Sequence, residues 1–185
     1  MKILAISGSL RAASVNSTLL RAAARLAPTD IKVHLYAGIG SLPLFNLDLE
    51  SQVPEEVRQL RVAVAAADAL VLASPEYAHG VTGVIKNTLD WLVSFAPFAD
   101  KPVAIFNASP RSQYADPALR ETLKTMSAAI VNDACFSYQL VGAQMSEEEM
   151  VRSVTVSGGI QAALAALRDY ARAGRSGGNA AFPLS

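Results

Sequence analysis

The chain has 185 residues, a length that suits a single domain. Lys and Arg together number 16, and so do Asp and Glu, so the formal charge is zero; this excludes the basic footprint of a nucleic-acid binder and gives no pull toward an anionic membrane surface. Hydrophobic residues make up 51% and charged residues 17%, below the roughly 25% charge of an average soluble domain, and the surplus favours a homo-oligomer with apolar surface to hide.

Residues 1–7 (MKILAIS) form an apolar run on both faces, as in a strand buried on both sides of a parallel sheet. A polar loop follows over 8–17. Leu19, Leu20, Ala23, Leu26 and Ala27 then recur at helical spacing until Pro28 closes the helix. A second strand is expected over 31–36 and a long loop over 38–51. Pro54 with Glu55 and Glu56 opens a second helix, since proline suits the first position and acids suit the positive end of the dipole. ALVLA over 69–73 is a third buried strand, a loop spans 74–81, and a helix is expected over 82–95. A fourth strand follows over 103–106, then a loop over 107–116 and a helix from Pro117 to about 128. Residues 130–140 carry a fifth strand, Glu147 to Glu149 a solvated turn or short helix, and 160–172 the last helix. The domain is expected over 1–173, with 174–185 a disordered tail.

Strand and helix alternate five times. This predicts the α/β class, a five-stranded parallel sheet in the flavodoxin-like order 2-1-3-4-5 with helices on both faces. In that order the loops after strands 1 and 3 face each other across a crevice at the strands' carboxyl ends, where ligands bind. Cys135 is the only cysteine, which rules out an internal disulfide and a dithiol site and fits a reducing compartment. His34 and His79 are too few for a zinc site, so no metal is expected. The apolar run over 3–6 is too short for a signal segment and no run approaches a membrane span, so a cytoplasmic location is expected.

The loop after strand 1 reads GSLRAASVNST and leads directly into a helix. Helix N-termini offer unpaired N–H groups and a positive dipole end. Ser9, Ser14 and Ser17 add hydroxyl donors, Arg11 adds a charge-assisted contact, and Asn16 is placed to cap the helix and brace the loop. A loop whose serines merely cap a helix needs one such residue, and this loop has several. It lacks the GxxxxGK pattern of a triphosphate cradle and the GxGxxG pattern of a dinucleotide fold, so a monophosphate fits best. No cysteine phosphatase signature surrounds Cys135 and no GxSxG elbow occurs.

The loop after strand 3 reads SPEYAHGVTG. Pro75 fixes φ, and Gly80 and Gly83 let backbone approach closely, so a flat heteroaromatic can lie on this turn with Tyr77 beside it. Trp91 is read as core or as an oligomer contact, and Asp90 as structural. His79 faces either solvent, a subunit neighbour or a substrate.

With GSLRAASVN after the first strand and SPEYAHGVTGVIKNTLDW after the third, the chain resembles the NADPH-dependent FMN reductases, a flavodoxin-like family that includes quinone and chromate reductases. The resemblance covers about residues 1–128. It implies an oxidoreductase that passes hydride from NADPH or NADH to bound FMN and then electrons to a small acceptor: free flavin, a quinone, an azo compound or a metal oxyanion. It implies FMN phosphate on Ser9, Arg11, Ser14, Val15 and Asn16, the isoalloxazine on Pro75, Glu76, Tyr77 and Ala78, and Ser109 at the ring's pyrimidine end. No catalytic side chain is assigned, because the flavin carries the chemistry. It also implies a homodimer or homotetramer; the helix over 82–95 points the same way, since its large apolar residues exceed one buried stripe, and His79, Phe98 or Gln113 and Tyr114 are then placed to reach toward a neighbouring flavin. Two departures stand out. Ala78 replaces the asparagine that many relatives carry, and residues 110–114 (PRSQY) replace a glycine-rich loop. A non-catalytic FMN-binding protein or a flavodoxin-type electron carrier is the alternative, although zero net charge and Arg11 speak against the carrier.

Overall fold

Ile3, Ala5, Val71 and Ala104 point to one face of a sheet, while Leu4, Ile6, Leu70, Leu72, Val103 and Ile105 point to the other. This period-2 split, with every one of these residues nearly solvent-free, requires a layer of helices on each side. The computed structural model, which describes residues 1–110, 112–142 and 145–177, supplies both layers.

The main strands are β1 (Lys2–Ser7), β2 (Lys32–Leu35) and β3 (Ala69–Ala73). A short hairpin follows, made of β4 (Glu76–Tyr77) and β5 (Gly80–Val81). Next come β6 (Pro102–Asn107), β7 (Ala129–Ile130) and β8 (Phe136–Ser137). The sheet runs β2-β1-β3-β6-β7, all parallel, with β8 also paired to β6. Renumbered, this is the expected order 2-1-3-4-5. Helices α1 (Val15–Leu26) and α6 (Val154–Gly177) cover one face through Leu19, Leu20, Ile160, Leu164 and Leu167. Helices α2 (Glu55–Ala66), α3 (Gly83–Asp90) and α4 (Ala115–Thr125) cover the other through Val57, Leu60, Ile85, Leu89, Leu119 and Leu123. A short helix α5 (Glu147–Arg152) opens with a Ser146–Glu149 capping box, so the acidic triplet forms a helix rather than a turn.

Four sequence expectations are corrected. The fifth strand is split: β7 pairs with the start of β6 and β8 with its end, around a 3-10 turn over Asn132–Ala134. Asn132 and Asp133 disfavour strand, and Cys135 Sγ takes the Ile105 N–H at 3.4 Å where a ladder carbonyl would be. The loop over 38–51 contains two 3-10 segments, Gly38–Ser41 and Leu47–Gln52. Helix α3 stops at Asp90, short of Phe95, and continues as turns. Helix α6 begins at Val154 and runs to Gly177, four residues into the stretch read as a tail, whose residues 178–185 lie outside those described.

The apolar surplus assigned to α3 is absorbed within the chain. Ile85, Leu89, Trp91 and Leu92 are all buried, and Trp91 Nε1–H donates to the Pro43 carbonyl at 2.8 Å. Asp90 pairs with Lys86 one turn away, a structural role. Phe98 is 1% exposed, so it cannot reach a neighbouring flavin.

Candidate functional site

The direction of chain leaving the sheet reverses between β1 and β3. From β1 it passes to α1 on one face; from β3 it passes to α3 on the other. At that switch point, outside the carboxyl ends of the strands, lies a cavity of about 290 Å³, at the low end of ordinary ligand pockets. The loop after β1 with the start of α1, residues 74–77 after β3, residues 107–109 and Ser112 after β6, and Val141 line it.

The first loop is held by its own hydroxyls. Ser7 and Ser17 share a 2.8 Å bond, Ser9 N–H donates to Ser7 Oγ, and Arg11 N–H donates to Ser9 Oγ. Ser14, not Asn16, occupies the N-cap of α1, because Ser14 keeps extended dihedrals while Asn16 lies inside the first turn. Ser14 makes no side-chain cap bond although only 5% of it is exposed, so its hydroxyl does not serve the helix. The Asn16 side chain is 3% exposed and its Oδ1 has no hydrogen-bond partner, which is costly unless a ligand group pairs with the amide. The Arg11 guanidinium forms no ion pair among the described residues. Free N–H groups at a helix start, two uncommitted polar side chains and an unpaired cation on one wall make an anion site with polar groups left over for hydroxyls beyond the anion.

The second loop is a rigid hairpin. Tyr77 pairs with Gly80, which leaves Ala78 and His79 as a two-residue turn with φ of 49° and 59°. That turn places Ala78 at the hairpin tip, and Ala78 is not among the residues that line the cavity. Pro75, Glu76 and Tyr77 do line it, and Tyr77 is 51% exposed at the mouth. The Glu76 carboxylate is engaged elsewhere: its Oε2 accepts from Ser112 Oγ at 3.1 Å and from the N–H groups of Tyr114 and Ala115, both at 2.8 Å. Those backbone donors, the Ala115 one foremost, hold its carboxyl below the usual carboxylate range.

In the third loop Ser109 N–H donates to Asn107 Oδ1 at 2.9 Å, and Ser109 lines the cavity. The bulk at 113–114 does not fill the site. Gln113 is exposed, and the Tyr114 ring stacks on His79 at 4.2 Å between centroids, outside the cavity lining. Nine of the ten expected residues therefore share one cavity: Ser9, Arg11, Ser14, Val15, Asn16, Pro75, Glu76, Tyr77 and Ser109. The sequence reading missed Ser74, Asn107, Ala108, Ser112 and Val141. Ser74 and Asn107 end or follow β3 and β6 and were legible from that position; Val141 comes from a turn after β8 and was not.

The family model for NADPH-dependent FMN reductase matches residues 1–141. The chain belongs to this family. It is 42% identical over 132 residues to an NAD(P)H-dependent FMN reductase of Pseudomonas aeruginosa, covering 66% of this chain and 69% of that one. It is 32% identical over 142 residues to a quinone reductase of Escherichia coli, covering 71% and 74%. Among solved structures, a flavoenzyme NAD(P)H:acceptor oxidoreductase of Paracoccus denitrificans superposes with a TM-score of 0.75 at 25% identity, over 91% of this chain and 97% of that one. The protein is thus an FMN-dependent NAD(P)H oxidoreductase with a flavodoxin-like fold. The uncommitted Ser14, Asn16 and Arg11 fit such a cofactor, since FMN joins a phosphate to a hydroxyl-bearing chain and a flat ring.

Proposed function

We propose that this reductase holds the FMN phosphate on the first loop and the ring against the second, and delivers electrons to a quinone. The wall formed by Arg11, Ser14 and Asn16 carries this reading, because each has a polar group with no side-chain partner among the described residues. Arg11 neutralises the phosphate, Ser9 and Ser14 donate hydroxyls to it, and the N–H groups of Val15 and Asn16 point their dipoles at it. Asn16 Oδ1 accepts from a hydroxyl of the ribityl chain. Pro75, Glu76 and Tyr77 present backbone and the Tyr77 ring to the flavin, and Ser109 approaches its pyrimidine end. FMN, when bound, supplies the two-electron chemistry, and the protein supplies placement and electrostatics.

No general acid or base is needed from the protein. Among the described residues of the lining, only Arg11, Glu76 and Tyr77 ionise at all, and Glu76 is committed to α4. Protons for a reduced quinone come from water at the open mouth beside Tyr77. A quinone is favoured among the four acceptor classes because the name of the E. coli relative carries it.

The chain is also proposed to assemble as a homodimer or homotetramer. Support comes from Leu44, Leu47 and Val93, which are 83%, 70% and 64% exposed. They lie on two segments joined by Ser94 Oγ donating to Glu50 Oε1 and by the Phe45–Trp91 ring contact. Among the described residues no helix is long and apolar enough to cross a membrane. A cytoplasmic location is inferred from the lone Cys135, which suits a reducing compartment.

The test is a steady-state assay of the FMN-loaded protein with NADPH and NADH against a benzoquinone, free flavin, an azo dye and a metal oxyanion. Turnover highest on the quinone is expected. FMN uptake with no NAD(P)H oxidation on any acceptor would return the protein to the non-catalytic alternative.

A further inference from the structure

Helix α4 starts without a cap of its own. Its N-cap position is Tyr114, which has no side-chain cap bond, and the N–H groups of Tyr114 and Ala115 are taken by one carboxylate oxygen of Glu76, nearly forty residues earlier in the chain. The same oxygen accepts from Ser112 Oγ. A second contact runs parallel to it, where the His79 ring at the hairpin tip stacks on the Tyr114 ring. The hairpin and the loop after β6 are thus fastened at two points, one at the cavity wall through Glu76 and Ser112 and one beyond the lining through His79 and Tyr114.

We propose that Glu76 is a positioning residue whose carboxylate clasps the second loop to the third and so sets the width of the slot that receives the flavin ring. Glu76 and its partner Ser112 both line the cavity, and the Glu76 carboxylate reaches from there to the start of α4. A carboxylate is the right group for this task. It accepts only, it matches three converging donors, and its charge complements the positive end of the α4 dipole. Without it the Tyr114 and Ala115 N–H groups lose their acceptor, the hairpin and the third loop keep the His79–Tyr114 stack but lose the clasp, and ring contacts weaken while phosphate contacts on the first loop stay. This inference rests on the proposed seating of FMN, so the experiment separates the two.

Apoprotein is titrated with FMN for four variants: Glu76→Ala, Glu76→Gln, Arg11→Ala and Leu123→Ala. Dissociation constants, the visible spectrum of the bound flavin and exchange protection of the Tyr114 and Ala115 amides are read. Leu123 is a buried residue in the last turn of α4, outside the cavity lining, and its truncation destabilises the helix without touching the clasp. The expected result for Glu76→Ala is FMN binding weaker by about tenfold or more, a shifted flavin spectrum and loss of amide protection at 114 and 115. Glu76→Gln keeps the length and one acceptor oxygen and is expected to fall between wild type and alanine, which covers the case in which Glu76→Ala does not fold. Leu123→Ala lowers stability with the spectrum unchanged. Weakened FMN binding in Arg11→Ala with wild-type affinity and spectrum in both Glu76 variants overturns the clasp and leaves the seating standing. Unchanged affinity in Arg11→Ala overturns the seating itself.

Discussion

The Thr82 hydroxyl donates to the Gly8 carbonyl at 2.7 Å, so the N-cap of α3 is tied to the loop that follows β1. Gly8 N–H donates in turn to the Ala73 carbonyl at 2.7 Å. The first and second loops of the site are therefore one hydrogen-bonded unit, although more than seventy residues separate them in sequence.

That unit leaves no room at Gly8. A Cβ built there lies 2.5 Å from Ser74 Oγ and 2.8 Å from Ser74 Cβ. Gly8→Ala is expected to cost roughly 1–3 kcal/mol, the range for overpacking a tight site, and to weaken FMN binding by spreading the two loops. Urea denaturation of the apoprotein beside flavin titration checks both effects. Wild-type stability would show that the loops separate freely.

Arg11 offers the cleanest test of the phosphate wall. Arg11→Ala removes a charge-assisted bond of roughly 1.5–3 kcal/mol, which is ~10–150-fold in affinity. Quenching of flavin fluorescence on binding reports the dissociation constant. The fold is expected to be unchanged, because the guanidinium holds no ion pair among the described residues.

The hairpin tip is strained. Ala78 and His79 both carry positive φ, a region that costs a residue with a Cβ roughly 1–2 kcal/mol and that asparagine or glycine tolerates better. Ala78→Asn is expected to raise the stability of the protein by about 0.5–1 kcal/mol with little change in FMN affinity, since Ala78 does not line the cavity. Thermal unfolding measures the first and flavin titration the second. A large gain in FMN affinity would put residue 78 back in the site.

Acid should open the clasp. The Glu76 carboxyl is held below its ordinary value of 4.5 by the Ala115 and Tyr114 N–H groups. A depressed pKa in the fold means that this contribution is complete above the unfolded value and is lost as pH falls through the folded one. The stability difference between wild type and Glu76→Gln is therefore expected to be flat above about pH 5 and to shrink below about pH 4. Denaturation curves across that window test the sign, and a difference that grew toward acid would contradict it.

Much of this was legible in the chain, and what was not has physical causes. The apolar runs of β1, β3 and β6 are buried on both faces, so their strand character needed no tertiary information. Once they were placed, the hydroxyl-rich loop and the SPEY segment had to meet at the switch point. The fifth strand was not legible, because Asn132 and Asp133 break it and the thiol of Cys135 bridges the gap, a contact no periodicity reveals. Nor was the role of the Glu76 side chain. A carboxylate in a ligand loop reads as a ligand contact until the fold brings Ser112, Tyr114 and Ala115 to it. The apolar residues 84–92 looked like a partner face because the 3-10 loop over 38–52 that covers Trp91 could not be placed from sequence.

Calorimetric titration of the apoprotein with FMN, riboflavin and FAD tests most directly the claim that the first loop reads a terminal phosphate. FMN is expected to bind one per chain, with riboflavin weaker by at least the ~10–150-fold assigned to the Arg11 contact and FAD also weaker because its phosphate is esterified and carries less charge for Arg11 to neutralise. Riboflavin binding as tightly as FMN would contradict the account.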